Sequence, residues 1–344
     1  MLFRRASVGG QTYVDEEPEP EEAVNRDVAK SPASTASGDV RSSGSEVGIT
    51  AQPQGPVNPP NEERVQLAGG VLRHFRSAQV SREIEAAAAD PGSQNNDRYR
   101  HGNYWTTLAL CHTVLAGVNP KTGMLEYKAQ SPDEAALVQA AADVGFEFRG
   151  RERDVLVLRT PFAPQPLRFR LLNILEFNSS RKRMSVIVRQ LGEKDEPGNY
   201  PILLLCKGAD NVIFERLAEG GDELKAVTGD QLDLFAREGL RTLTLAHRVI
   251  PDDEYNSWVE RYWNALGTVD DSRDAEIERV SEEVERQLLL LGATAIEDKL
   301  QDGVPEAIAD LKKAGIKIWV LTGDKLETAI GVFSHSHHRL TNGH

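Results

Sequence analysis

The chain has 344 residues, of which 40% are hydrophobic and 27% charged, and its formal net charge is −13. This length and apolar content suit two packed domains, whereas the negative charge disfavours binding to nucleic acid or anionic lipid surfaces. The longest apolar runs, at 202–206 and 288–296, are far shorter than the roughly 20 residues that cross a bilayer. Cys111 and Cys206 lie far apart without CxxC spacing, which favours a reducing, cytosolic setting.

The first hundred residues predict little packed structure. Residues 1–14 form a short strand-like opening, and 15–98 are predicted to be a disordered insert, rich in Pro, Ser, Gly and Glu up to about residue 66. Such a composition cannot bury enough apolar surface to fold. Only a marginal helix at 77–89 is expected within it.

Residues 99–289 are predicted to fold as one α+β domain, an antiparallel sheet flanked by helices. The helix at 131–145 begins with Ser131 as N-cap and Pro132 in its first turn, and it ends at Gly145. Other helices are predicted at 104–116, 211–221 and 274–289. Alternating apolar residues predict strands at 168–175, 184–190, 201–206 and 241–250. The second and third of these strands are predicted to form an antiparallel hairpin around the loop at 192–200.

A different pattern begins at residue 290. A strand at 290–296, a helix at 302–315 and a strand at 316–324 predict a βαβ unit of a parallel, doubly wound sheet. Thr322, Gly323 and Asp324 would lie beyond the carboxyl end of its second strand, where a phosphoryl group and its metal are bound in such folds. The alternative is a simple turn in which Asp324 caps the next helix.

Arg181, Lys182 and Arg183 form a basic triplet next to a predicted strand. One interpretation is an exposed strand end with solvated cations. The other is an anion site, because Phe177 precedes the triplet and Lys207 ends the partner strand. An aromatic ring can stack on a nucleotide base while the ammonium groups bind its phosphates.

Two further residues have alternative roles. Glu134 could accept a hydrogen bond from an adenine amino group, or it could complete a capping box at its own helix. Arg241 could bind a phosphate or pair with a neighbouring carboxylate.

Five stretches together resemble the type IV P-type ATPases, the phospholipid flippases, in order and spacing across residues 104–330. They are SPDEAALV (131–138), EFNSSRKRMSV (176–186), CKGAD (206–210), AIEDKLQDGVPEAI (295–308) and VLTGDKLETAI (320–330). Cation-pumping P-type ATPases share the general plan, but they do not usually carry SPDEAALV or EDKLQDGVPEAI.

The resemblance implies that the anion is the phosphate chain of ATP. Phe177 would stack on adenine, Glu134 and Ser179 would line the purine pocket, and Lys182 and Lys207 would lie near adenine and phosphates. Arg241 would reach the phosphates. Thr322, Gly323 and Asp324 would contact the transferred phosphoryl group from a haloacid-dehalogenase-like phosphorylation domain, incomplete at 290–330, with Asp298 near the same cleft. Residues 1–14 would be the other edge of that domain and the hinge.

Two family motifs do not occur in this chain, namely the DKTGT loop that carries the phosphoacceptor aspartate and the GDGxND segment that holds magnesium. We therefore assign no catalytic nucleophile and no metal ligand, and we expect the phosphoacceptor to lie just upstream of Met1. The tail at 331–344 does not match the family, and its His335, His337 and His338 are interpreted as part of a disordered tail.

The resemblance thus predicts the ATP-binding cytosolic portion of an enzyme that uses magnesium, forms an aspartyl-phosphate and moves phospholipid from the outer to the cytosolic leaflet. Its partners would be ATP, phospholipid bound by membrane segments and an accessory subunit, at the cytosolic face of a membrane, and no nucleic acid. The first alternative is a free-standing ATP-binding or regulatory module. The second, a haloacid-dehalogenase-like phosphatase, lacks the nucleophilic aspartate that such hydrolases need.

Overall fold

The computed structural model describes residues 1–16, 65–67, 75–92, 96–118, 125–192, 195–196, 198–298 and 303–319. The strands are β1 (Leu2–Val8), β2 (Gln11–Val14), β3 (Val65–Leu67), β4 (Leu115–Val118), β5 (Leu125–Lys128), β6 (Glu147–Glu152), β7 (Val155–Arg159), β8 (Leu167–Leu175), β9 (Arg183–Gln190), β10 (Ile202–Gly208), β11 (Arg241–Ile250) and β12 (Leu289–Glu297). The helices are α1 (Ala78–Ala89), α2 (Asp97–Leu110), α3 (Pro132–Asp143), α4 (Asp210–Phe214), α5 (Asp222–Arg237), α6 (Asp252–Gly267), α7 (Arg273–Val284) and α8 (Val304–Lys313).

A nine-stranded sheet organises the molecule, in the order β2-β1-β12-β11-β10-β9-β8-β7-β6. Every neighbouring pair in it is antiparallel. A second sheet has the order β3-β5-β4. The predicted α+β domain with an antiparallel sheet and flanking helices is therefore confirmed.

Side-chain alternation divides the central strands between two cores. Val186 and Leu205 face one core, which also contains Trp105 of α2 and Leu137 of α3. Ile187 and Leu204 are among the strand residues that face the other core, which α6 and α7 cover with the side chains Trp258, Tyr262, Val280 and Val284. Because successive side chains of a strand point to opposite faces, each central strand contributes to both cores.

The predicted strands at 168–175, 184–190, 201–206 and 241–250 correspond to β8, β9, β10 and β11, and β9 and β10 form the predicted hairpin. Helix α4 ends at Phe214 rather than at 221, and α2 runs from Asp97 to Leu110 rather than over 104–116. Strands β4 to β7 and helices α5 and α6 were not predicted from the sequence.

The helix predicted at 77–89 is confirmed as α1, whereas the prediction of disorder is wrong for the other described residues of 75–92 and for 96–98. Helix α1 buries Val80, Ile84 and Ala87 at helical spacing, and Phe75 just before it packs in the same core as Trp105. This apolar stripe outweighs the low hydrophobicity of the surrounding sequence. Most of 17–74 lies outside the described residues, apart from β3, which pairs with β5.

The strand expected to open a parallel sheet at 290 is instead β12, which is antiparallel to both β1 and β11. Its register pairs Leu2 with Glu297 and Arg241 with Ile296. The N-terminal strand supplies this partner, and no local pattern in the sequence reveals so distant a pairing. Helix α8 agrees with the predicted helix, whereas 316–319 lack regular structure and 320–330 lie outside the described residues.

No helix among the described residues is both long and apolar enough to cross a membrane.

Candidate functional site

The residues expected to bind ATP lie at one end of the nine-stranded sheet. Because neighbouring strands are antiparallel, β8 and β10 end where β9 and β11 begin. The loop from β8 to β9 carries Phe177, Ser179 and Lys182, β10 carries Lys207 near its end, and β11 begins with Arg241. The sheet thus brings together residues that are far apart in the sequence.

Glu134 joins this group through Lys207. The Lys207 Nζ donates to Glu134 Oε1 at 2.8 Å, and Glu134 Oε2 accepts from the Thr113 hydroxyl at 2.8 Å. Lys207 has the same strand parity as Leu205, so it faces the α2 and α3 side of the sheet. Burial raises the pKa of Glu134, but the Lys207 ammonium and the Thr113 hydrogen bonds outweigh burial and hold that pKa below its usual value.

The capping-box role considered for Glu134 is therefore wrong. Ser131 is the N-cap of α3, but it makes no side-chain capping bond. The Glu134 carboxylate instead contacts Lys207 and Thr113. Attraction to a buried ammonium outweighs the weaker bond to a helix N-terminus.

Arg241 pairs with two carboxylates, as one of its alternatives predicted. Its Nη1 lies 3.3 Å from Asp133 Oδ2 and its Nη2 lies 3.2 Å from Asp298 Oδ2. Asp298, expected near the cleft, thus contacts a candidate site residue. The Arg241 side chain keeps 35% of its surface exposed, so a ligand can still approach it.

The loop from β8 to β9 is a tight turn that exposes its central side chains. Phe177 is 63% exposed, and Ser179 and Lys182 are exposed as well. The Lys182 amide donates to the Asn178 carbonyl at 2.9 Å. Lys182 has a positive φ of 51°, a left-handed conformation that is uncommon for a non-glycine residue.

Gly208 lets β10 approach this loop closely. A Cβ there would lie 2.8 Å from the Lys182 carbonyl oxygen and 2.6 Å from the Arg183 Cβ. The next residue, Ala209, donates its amide to the Lys182 carbonyl at 3.0 Å. Glycine at this position therefore joins the loop to the end of β10, where Lys207 lies.

The basic triplet divides into two buried cations and one exposed cation. Arg181 and Arg183 are both buried and pair with Glu285, and Arg183 Nη2 also lies 2.6 Å from Glu282 Oε1. Both carboxylates lie at the α7 end, on the sheet face opposite Lys207. Arg181 and Arg183 are therefore neither exposed to solvent nor available to bind a phosphate. Of the three basic residues, only Lys182 is exposed, as the anion site requires.

Several contacting residues were not found from the sequence. Thr113 lies in a short connection with no recognisable motif, and Asp133 looked like a first-turn acid of α3. The sequence signal for Glu285 is its place directly after the buried Val284, at the end of an amphipathic helix. Thr322, Gly323 and Asp324 lie outside the described residues.

His112 is a buried neighbour of Lys207. Burial and the positive charge of Lys207 lower the pKa of His112 to about 4. Its Nδ1 accepts from the Val114 amide at 3.0 Å, and its Nε2 lies 2.8 Å from the Ala109 carbonyl oxygen. His112 is therefore neutral near pH 7 and adds no positive charge to the site.

Three of the cavities in the described part of the chain have similar volumes, and one of them, of about 520 Å³, is lined by Asp210, Phe214, Lys225 and neighbouring residues. A second of about 530 Å³ is lined by Gly9, Asn96, Arg100 and neighbouring residues. The third, of about 520 Å³, lies between the loop from β8 to β9 and helices α6 and α7. Among the described residues, none of those expected to bind ATP lines any of these three cavities.

Comparison with known proteins identifies one family. The family model of the P-type ATPase cytoplasmic domain N matches residues 103–303. The probable phospholipid-transporting ATPase 12 of Arabidopsis thaliana is 46% identical over 269 residues, which cover 72% of this chain and 22% of that protein. Two yeast proteins are 50% identical over 67% of this chain: the phospholipid-transporting ATPases dnf2 of Schizosaccharomyces pombe, covered over 16% of its length, and DNF1 of Saccharomyces cerevisiae, covered over 15%. The chain thus spans about a fifth or less of the length of these relatives.

Proposed function

The chain belongs to the P-type ATPase family, whose cytoplasmic domain N it contains, and we propose that it is the ATP-binding portion of a phospholipid-transporting member. One observation carries the proposal: an exposed Phe177 ring, the exposed Lys182 and the pair of Lys207 with Glu134 occur at the same end of the sheet. Stacking and charge-assisted hydrogen bonds from such groups are what a nucleotide requires.

Each residue has a distinct role in this proposal. Phe177 stacks on the adenine ring, and Glu134 and Ser179 line the purine pocket. Lys182 and Lys207 supply positive charge near adenine and the phosphates. Arg241 binds the phosphates. To do so it gives up part of its contact with Asp133 and Asp298.

The phosphoryl end of the nucleotide is proposed to meet Thr322, Gly323 and Asp324, within an incomplete α/β phosphorylation domain of the haloacid-dehalogenase type that follows β12. We assign no magnesium ligand to the described residues of this surface, because Asp133, Glu134 and Asp298 already pair with Arg241 or Lys207. Magnesium would neutralise charge on the phosphates when it is bound.

For the whole protein we propose ATP hydrolysis through an aspartyl-phosphate that drives phospholipid from the outer to the cytosolic leaflet. This portion would act at the cytosolic face of a membrane, with lipid and an accessory subunit engaged by other segments. The similarity to phospholipid-transporting ATPases over about two thirds of the chain favours this function over a free-standing regulatory module.

Isothermal titration calorimetry of the full chain with ATP tests the proposal. Phe177→Ala should weaken binding roughly tenfold or more, since base stacking contributes about 1 to 3 kcal/mol. Trp263→Ala is the matched control, because Trp263 is an exposed aromatic residue of α6. A folded chain that does not bind ATP, or that binds it equally well without Phe177, would contradict the proposal.

A further inference from the structure

Glu285, the C-cap residue directly after α7, is a fully buried carboxylate with no direct part in the proposed ATP site. It accepts hydrogen bonds from the Arg181 guanidinium, from Arg183 Nε at 2.8 Å and from the Ser185 hydroxyl at 2.5 Å. Two buried cations and a hydroxyl thus converge on a single side chain.

An apolar residue would suit this position if stability alone mattered. The neighbouring buried residues Val280 and Val284 belong to an apolar core, and well-packed hydrophobic residues commonly replace a buried ion pair without loss of stability. What a buried charge network can supply instead is a defined geometry, because a conformation that leaves a buried guanidinium without a carboxylate is costly. The contacts of Arg181 and Arg183 indicate which geometry Glu285 defines.

The guanidinium groups held by Glu285 also bind the backbone of the loop that carries Phe177. Arg181 Nη1 donates to the Glu176 carbonyl at 2.8 Å, next to Phe177 in the sequence. Arg183 Nη1 donates to the Arg181 carbonyl at 3.1 Å, next to Lys182. Both ends of the segment from Phe177 to Lys182 are therefore fixed through Glu285.

Glu282, one turn earlier on α7, extends this connection to the far side of β10. Its carboxylate accepts from Arg183 Nη2 at 2.6 Å and from Arg216 Nη2 at 2.8 Å. Arg216 follows α4, the helix that begins directly after Gly208 and Ala209. The carboxylates at the end of helix α7 thus contact both the loop from β8 to β9 and the segment that follows β10.

We infer that Glu285 is a positioning residue for nucleotide binding, which holds the loop in the conformation that presents the Phe177 ring and Lys182. This inference rests on the proposed function, because it concerns the same site. The contact reaches ATP only through Arg181 and Arg183. Loss of the Glu285 charge should therefore weaken ATP binding by releasing the loop.

A double-mutant cycle tests the inference in the full chain. ATP dissociation constants are measured for the wild type, Phe177→Ala, Glu285→Gln and the double variant. We expect Glu285→Gln to weaken binding about tenfold, and Phe177→Ala to cost less than about threefold in that background, because a released ring has little stacking left to lose.

Glu283→Gln is the matched control. Glu283 lies on the same helix, and its carboxylate pairs with Arg261 and Arg279 away from the loop. Its replacement should leave ATP affinity unchanged and preserve the full effect of Phe177→Ala.

A merely structural role for Glu285 predicts a different result. Glu285→Gln would then lower the melting temperature, while ATP affinity stayed unchanged or the two substitutions acted additively, and either outcome overturns the inference. A wild-type chain that binds no ATP would instead refute the proposed function itself, and the inference with it.

Two further measurements keep the test decisive if Glu285→Gln does not fold. Arg181→Lys keeps a positive charge opposite Glu285, but a single ammonium cannot reproduce the fork that also reaches the Glu176 carbonyl. It should show the same coupling with Phe177→Ala. In Arg181→Lys without ATP, the Lys182 amide should exchange hydrogen at least tenfold faster than in the wild type, and unchanged exchange would contradict the inference.

Discussion

The two faces of the nine-stranded sheet use the same kind of ion pair in different ways. On the α7 face, Arg181 and Glu285 have side chains only 4% and 0% exposed. On the α3 face, Arg241 and Asp133 are 35% and 30% exposed, and Lys207 with Glu134 lies between these extremes. The two kinds of ion pair contain the same residue types but differ in exposure. A buried pair stabilises the fold, whereas an exposed pair can also contact a ligand.

The largest expected effect is on stability. Glu285→Ala leaves two buried guanidinium groups without their carboxylate, so it should lower the free energy of unfolding by about 3 to 5 kcal/mol. Glu134→Ala leaves the nearly buried Lys207 ammonium without its carboxylate, but water can still reach this pair more easily, so the variant should cost less, about 1 to 3 kcal/mol. Urea unfolding followed by tryptophan fluorescence measures both values, and equal losses would remove the distinction between the two faces.

Lowering the pH should reduce the stability of the fold through a buried histidine on the α2 and α3 face of the sheet. Burial lowers the pKa of His247 to about 4, and its Nε2 lies 3.3 Å from the Tyr99 hydroxyl of α2. Between pH 6.5 and 4 the unfolded chain therefore binds more protons than the folded chain, and stability falls as pH falls.

His247→Gln should flatten this dependence. Between pH 7.5 and 5, the free energy of unfolding of the wild type should fall by about 2 kcal/mol more than that of the variant. Urea unfolding at the two pH values provides the measurement. An identical pH dependence in both proteins would show that His247 is not held neutral by burial.

The smallest expected effect concerns the exposed member of the basic triplet. Lys182→Met should weaken ATP binding about threefold at low salt and less at high salt, because an exposed charge is screened. Lys128→Met is the control, since Lys128 is an exposed lysine on β5. An effect of Lys182→Met that is equal at all salt concentrations would argue against a simple charge contribution.

Local patterns predicted what local interactions determine. The period-two strands β8 to β11 followed from alternating apolar residues, and the predicted hairpin of β9 with β10 placed Lys207 near Phe177. The pairing of β10 with β11, which brings Arg241 to the same end, was not predicted. Helix α1 was underestimated, because its stripe of Val80 and Ile84 lies next to a polar, proline-rich segment.

Pairings between residues distant in the sequence could not be predicted from it. The antiparallel partnership of β1 with β12 joins residues from the two ends of the described chain, and nothing near either strand encodes it. The fate of Arg181 and Arg183 depended on Glu285, about a hundred residues later. The sequence of a basic triplet does not show which of its residues will pair with a buried carboxylate.

Photolabelling of the full chain with 8-azido-ATP, followed by mapping of the modified peptide by mass spectrometry, tests the central claim most directly. The label should fall within residues 173–190, it should be blocked by excess ATP, and it should be lost in Phe177→Ala. Labelling at residues 96–100 or 223–227, which line the separate cavity near Gly9, would contradict the claim that nucleotide binds at this end of the sheet.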